Sequence, residues 1–148
     1  MRKTFRDRIL TDGGGDSSIH KIRLSTNDGL TGYRVNSFQI IPADPTDTAY
    51  EVVYLLYTTK PAEVTDEINF ANPALLACGL WSSSGTGASN PEDMTIIFDN
   101  TTINQDLYIT VKSDGSDQKF NYLLELEQMK LTVDEAATAT LKDMRATS

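Results

Sequence analysis

Apolar and polar residues alternate with a period of two along most of the chain, which is the pattern of β-strands that bury one face. The stretch Tyr50–Thr58 is apolar on both faces, which predicts a central strand covered on both sides. Turn-forming residues at Thr26–Gly29 and Ser113–Asp117 predict two hairpins, the second leading into the last strand. The predicted strands are Ile19–Leu24, Tyr33–Ile41, Tyr50–Thr58, Leu75–Ser83, Met94–Asp99, Asp106–Lys112 and Phe120–Leu131.

The period changes after Leu131, where Thr132 and Glu135 have the spacing of a helix capping box. A helix is therefore predicted from about Asp134 to Arg145. Its apolar residues Ala137, Leu141 and Met144 lie at helical spacing. A helix this short, with so narrow an apolar stripe, has only marginal stability in isolation. It is therefore expected to dock on the sheet or on a partner.

These elements predict an all-β fold, an antiparallel two-sheet sandwich of the jelly-roll or immunoglobulin-like kind, with one short C-terminal helix. A closed eight-stranded barrel is the alternative. The expected organisation is a Gly-rich N-terminal arm at 1–18, the sandwich at 19–131, and the helix and tail at 132–148. No interpretation of 60–73 is favoured, because its polar residues fit a helical turn or an irregular loop.

Charge is uneven along the chain. The formal net charge is -8, but residues 1–10 contain Arg2, Lys3, Arg6 and Arg8 against Asp7 alone, so this segment carries +3 and the remainder -11. An acidic chain is poorly suited to general binding of phosphate backbones, so no direct nucleic-acid partner is expected. The basic arm is expected either to fray in solvent or to dock on an acidic neighbour.

The candidate chemistry is sparse. The only histidine, His20, lies on a strand with alternating apolar residues. The sequence contains no serine or cysteine nucleophile motif for this histidine to activate as a general base. The only cysteine, Cys78, can form no internal disulfide and is expected to be buried. The string from Asp12 to Asp16 is expected to be a flexible hinge rather than a Ca²⁺ site. We therefore expect no catalytic residues, no metal and no cofactor.

Two further expectations concern surfaces. No segment approaches the 18 or so apolar residues of a membrane span, so no membrane partner is expected and synthesis in a cytoplasm is the simplest inference. Aromatic residues could form a sugar-stacking platform, although their positions on strands favour the core; they are Tyr54, Tyr57, Trp81, Tyr108 and Tyr122.

The stretch Phe120–Leu131, followed by Glu135–Arg145, resembles the ends of small virion structural proteins from marine bacteriophages, and Phe5–Asp16 is similar to their opening residues. The resemblance implies a non-enzymatic β-sandwich that is made in the host cytoplasm and located in the virion. A capsid-associated decoration, cement or spike component is the leading hypothesis. A glycan- or ligand-binding module of a tail appendage is the alternative.

The resemblance carries over no functional residues, so the partner-binding residues are predicted from charge and helical spacing. Arg2, Lys3, Arg6 and Arg8 are expected to bind acidic neighbours, with the major capsid protein as the expected partner. Leu141 and Met144 are expected to pack against a sister subunit in a homo-oligomer.

Overall fold

The computed structural model describes residues 1–43, 50–83, 92–98, 101–113 and 118–146. Within these residues the chain forms eight strands followed by one helix. The elements are β1 (Arg2–Leu10), β2 (His20–Ile22), β3 (Thr31–Pro42), β4 (Tyr50–Tyr57), β5 (Leu75–Ser83), β6 (Glu92–Ile97), β7 (Leu107–Lys112), β8 (Lys119–Lys130) and α1 (Val133–Ala146).

The strands form two antiparallel sheets, a three-stranded sheet of order β1-β8-β3 and a five-stranded sheet of order β2-β7-β4-β5-β6. This confirms the predicted two-sheet sandwich with a C-terminal helix, and β4 is central as predicted. The pairing is nested, because β1 pairs with β8, β2 with β7 and β4 with β5, while β3 lies close to β6. Nested pairing is that of a jelly roll, with the difference that β6 hydrogen-bonds to β5.

The hydrophobic core lies between the two sheets. It is formed by the apolar residues that alternate with polar residues along the strands and face inward. In β8 the alternate residues Phe120, Tyr122, Leu124 and Leu126 are buried, and they meet the inward-facing residues of the other sheet. Burying one such Leu side chain contributes about 1.5–3 kcal/mol. The facing residues include Val52, Tyr54, Leu56, Leu107, Ile109 and Val111.

Both hairpin predictions are wrong. Strand β2 belongs to the five-stranded sheet and β3 to the three-stranded sheet, and β7 and β8 are divided in the same way. Each connection therefore crosses from one sheet to the other. Of the second predicted turn, residues 114–117 lie outside the described residues. Turn residues allow a reversal of direction, but they do not determine whether the next strand pairs with the previous one.

The undecided segment at 60–73 is mostly irregular, and it lies over the outer face of the five-stranded sheet. There Leu55, Tyr57, Leu75 and Cys78 form a second buried cluster, against which Ile68 of this segment packs. Cys78 is 3% exposed, as predicted, and burial raises the pKa of its thiol. The segment therefore covers an apolar surface that the sheet alone would leave in water.

Helix α1 begins with the predicted capping box. The Glu135 amide donates to Thr132 Oγ1 at 3.2 Å, and the Thr132 amide donates to Glu135 Oε1 at 3.1 Å. The helix packs through the small residues Ala136 and Ala139, which are buried. At 14 residues it is too short to cross a membrane, and no other helix occurs in the described part of the chain.

The N-terminal segment differs from the expected arm. Residues Arg2–Leu10 pair with β8 along their whole length, from Arg2 opposite Glu127 to Leu10 opposite Lys119. The basic segment is therefore an edge strand of the sandwich, because β8 supplies a ladder of backbone hydrogen bonds that local sequence does not reveal. The predicted boundary at residue 18 does not separate an arm from the sandwich.

An ordered turn stands where a flexible hinge was expected. The Asp12 carboxylate accepts hydrogen bonds from the amides of Gly14 at 2.8 Å and Asp16 at 3.1 Å. Gly15 has a φ of 85°, which favours glycine, and its carbonyl accepts from the Ser113 amide at 2.7 Å. Asp16 forms an ion pair with Lys112. Both carboxylates of the string are thus engaged within the protein.

Candidate functional site: the outer face of the three-stranded sheet

The outward side chains of β1, β8 and β3 form an open surface, here called the basic face, and the strand register fixes their arrangement. Antiparallel pairing places residues of the three strands in rows across the sheet. One row contains Arg6, Leu123 and Gln39, and the next contains Arg8, Asn121 and Ile41. Alternation along the chain thus brings two arginines, two amides and two aliphatic side chains together.

The guanidinium groups of Arg6 and Arg8 are available for binding. Both residues are exposed, and neither side chain forms an ion pair or hydrogen bond with another described residue. The two glutamates of this face form ion pairs with other cationic groups. Glu125 is 2.8 Å from the Nε of Arg2, and Glu127 is 3.1 Å from the amino group of Met1. Asp7 lines the same depression and accepts a hydrogen bond from the Arg8 amide at 2.8 Å, so two guanidinium groups without ion-pair partners in the described residues stand against one carboxylate there.

The two rows line a shallow depression of about 470 Å³. Its floor includes Leu123, which is partly buried, and Ile41, which is 46% exposed. Gln39 and Asn121 add amide groups that can donate or accept hydrogen bonds. A guanidinium binds a carboxylate through two parallel hydrogen bonds, so this surface can hold acidic side chains presented by another molecule.

Three of the four predicted cationic residues share the basic face. Arg2, Arg6 and Arg8 alternate along β1 and point outward with Glu127, Leu123 and Asn121 of β8. Lys3 lies opposite Leu126, whose side chain is buried, so Lys3 projects from the other side of the strand. The structure therefore separates Lys3 from the three arginines.

The two residues predicted on the helix are exposed. Leu141 is 51% exposed and Met144 is 61% exposed, whereas Ala136 and Ala139 face the body of the protein. The predicted stripe also contained Ala137, which is exposed as well, so the helix turns a different side, that of Ala136 and Ala139, toward the body. Leu141 and Met144 thus lie at the surface, where contact with a sister subunit stays a prediction.

The aromatic residues do not form an open stacking platform. Tyr54, Tyr57, Trp81 and Tyr122 are all less than 9% exposed, and Tyr54 is fully buried. Tyr108 packs against the second buried cluster. Sugar rings stack on exposed aromatic faces, so the residues nominated for glycan binding are structural.

His20 also has a structural contact. Its Nε2 lies 3.0 Å from the hydroxyl of Tyr122, which joins β2 of one sheet to β8 of the other. Burial raises the pKa of Tyr122, and the Asp7 carboxylate raises it further. In the described part of the chain, no three His, Cys, Asp or Glu side chains are grouped so that they could hold a metal ion.

Sequence reasoning missed the residues that complete the basic face. Gln39, Ile41 and Asn121 are unremarkable in the sequence, and they join Arg6 and Arg8 only through long-range register. It also missed an exposed apolar patch on the five-stranded sheet and its covering segment, formed by Phe70, Leu80, Met94 and Ile96. No local pattern distinguishes these residues from buried strand residues.

Comparisons with known proteins give no assignment, because no family model, no curated protein and no solved structure matches the chain.

Proposed function

We propose that this chain is a non-enzymatic structural protein of a bacteriophage particle, which binds the capsid through the basic face of its three-stranded sheet. The observation that carries the proposal is the placement of Arg6 and Arg8 side by side on an open sheet surface, without ion-pair partners in the described residues. The partner surface is acidic, and the proposed partner is the major capsid protein.

Charge supports an acidic partner in preference to nucleic acid. The chain carries a net charge of -8, so a long polyanion would be repelled by most of its surface. A protein partner can present a few carboxylates to Arg6 and Arg8 and avoid the rest. Each bidentate pair fixes orientation as well as distance, which suits a component that occupies defined positions on a shell.

The fold and the sequence agree with a virion component. Jelly-roll sandwiches occur in viral capsid domains and also in lectins, so the fold is compatible with the proposal but does not determine the function. The resemblance of Phe120–Leu131 and Glu135–Arg145 to phage structural proteins points to the same class. The decoration, cement and spike roles all belong to this proposal.

Assembly in several copies is part of the proposal. The exposed residues Leu141 and Met144 on α1 provide an apolar surface for a sister subunit, next to the helix face that packs on the body. In a homo-oligomer several linked basic faces bind the shell together, so a modest contact at each face suffices for stable attachment.

The proposal is tested by co-sedimentation of the purified chain with phage particles at several salt concentrations. The double variant Arg6→Gln/Arg8→Gln should lose about tenfold or more in affinity, and its binding should depend less on salt than that of the unmodified chain. Unchanged binding and salt dependence would rule out this face as the attachment surface.

A matched control separates a local effect from a change in net charge. Arg23 is exposed and forms no ion pair with a described residue, so Arg23→Gln removes one positive charge at another site and is compared with the single variant Arg8→Gln. Binding of Arg23→Gln should stay close to that of the unmodified chain. Equal losses in Arg23→Gln and Arg8→Gln would indicate a general charge effect and contradict the proposal.

A further inference from the structure

A second concave site lies under the C-terminal half of α1, away from the residues of the basic face. It is a pocket of about 350 Å³ between the helix, the segment that covers the five-stranded sheet and the residues that precede β7. Its apolar lining includes Phe70, Leu76, Phe98 and Ile103. Phe70 and Phe98 form an edge-to-face pair with ring centroids 4.9 Å apart. An apolar body of small size would therefore fit the space.

One polar residue of this pocket is almost fully buried. Asn104 is 1% exposed, and its Nδ2 lies within hydrogen-bond distance of three acceptors: Gly29 O at 3.0 Å, Ala136 O at 3.2 Å and Thr140 Oγ1 at 3.0 Å. These contacts fix the amide so that nitrogen faces the helix. Its Oδ1 has no hydrogen-bond partner in the described residues. A buried acceptor without a donor is costly, because its hydration is lost and not replaced.

The second polar group of the pocket is a partly buried carboxylate. Asp143 lines the pocket from α1, and no cation or hydrogen-bond donor among the described residues contacts it. Burial raises the pKa of Asp143, and the neighbouring Asp106 carboxylate raises it further. Lys142 also lines this pocket, but it is exposed and forms no ion pair with Asp143. The pocket thus combines two acceptors that lack donors with an apolar lining.

We infer that this pocket binds an ammonium group carried on a small apolar body, with Asp143 accepting its charge-assisted hydrogen bond and the aromatic lining holding the body. The Asn104 Oδ1, which also lacks a donor, is the proposed second acceptor for the ammonium group. The ammonium can come from a free amine or from a lysine side chain of another protein. This inference does not depend on the proposed function, because it concerns different residues.

The test is an NMR titration of the full chain with benzylamine, which places an ammonium on a phenyl ring. Amide signals from residues 101–104 and 139–143 should shift together. Benzyl alcohol has the same phenyl ring without the charge. It should bind at least about tenfold more weakly, because a neutral hydrogen bond replaces a charge-assisted one. N-acetyl-lysine methylamide distinguishes the two sources, because binding of this compound would indicate a protein side chain.

Variants locate the interaction. Asp143→Asn removes the charge with little change of shape and should weaken benzylamine binding about tenfold. Asp134→Asn, at an exposed position in the first turn of the same helix, should leave the affinity unchanged. Absence of benzylamine binding at millimolar concentration, equal binding of benzyl alcohol, or full affinity in Asp143→Asn would each overturn the inference.

Discussion

The outer faces of the two sheets differ, although their inner faces share one core. On the five-stranded sheet the outer face is apolar, and the segment 60–73 covers Leu55, Tyr57 and Cys78. On the three-stranded sheet the outer face carries Arg6 and Arg8 and stays open. The covering segment removes these apolar side chains from water and leaves the patch at Leu80, Met94 and Ile96 exposed, whereas a charged outer face is stable in water without a cover.

The largest expected effect contrasts one leucine from each outer face. Leu55 is 1% exposed under the covering segment, so Leu55→Ala should lower the free energy of unfolding by about 2–5 kcal/mol. Leu123 is only partly buried on the basic face, so Leu123→Ala should cost less than about 1 kcal/mol. Urea denaturation of both variants measures the difference, and equal losses would contradict the account of the two faces.

A smaller effect is expected at Gly79 of the five-stranded sheet. A Cβ at this position would overlap the ring of Tyr54 on the neighbouring strand, and Tyr54 is fully buried. Gly79→Ala should therefore destabilise the protein by about 1–3 kcal/mol through overpacking. Gly14→Ala is the control, because the nearest atom to its Cβ would be a side-chain oxygen of Asp12 at 3.3 Å. Thermal unfolding of the two variants should differ clearly; similar midpoints would contradict the packing argument.

The third effect concerns the crossing from the five-stranded to the three-stranded sheet. Asp106 accepts hydrogen bonds from the amides of Leu24 at 2.8 Å and Ser25 at 2.9 Å, and it pairs with Lys21 at 3.3 Å. Burial alone would raise the pKa of Asp106, but these hydrogen bonds outweigh burial and hold the pKa below its ordinary value.

Because the pKa of Asp106 is lower in the folded than in the unfolded state, its stabilising contribution is present above the unfolded value and is lost as pH falls through the folded value. Asp106→Asn should cost about 1–2 kcal/mol at neutral pH and less in acid. Urea denaturation from pH 7 to pH 2 measures this. A constant difference between variant and unmodified chain across that range would show that charge is not the cause.

The fold was largely predictable, because the alternation in β7 and β8 is strong. Buried Leu124 and Leu126 alternate with Glu125 and Glu127, so their facing directions follow from the sequence. Strand β1 was not predicted, because its inward positions include Lys3 and Asp7 as well as Phe5 and Ile9, which obscures the period. Only pairing with β8 makes it a strand.

The candidate site was predictable only in part. The charges of Arg6 and Arg8 are visible in the sequence, but their neighbours Gln39 and Asn121 come from strands far along the chain. Lys3 was grouped with the arginines because charge counting ignores which side of a strand a residue occupies. The helix was placed correctly, yet Ala136 and Ala139, not Leu141, face the body, since close packing favours small residues.

The most direct test of the central claim is arginine modification by phenylglyoxal, read by mass spectrometry, on the free chain and on the chain bound to phage particles. Arg6 and Arg8 should react in the free chain and become protected on the particle, while Arg23 reacts equally in both. Protection of Arg23 with continued reaction of Arg6 and Arg8 would contradict attachment through the basic face.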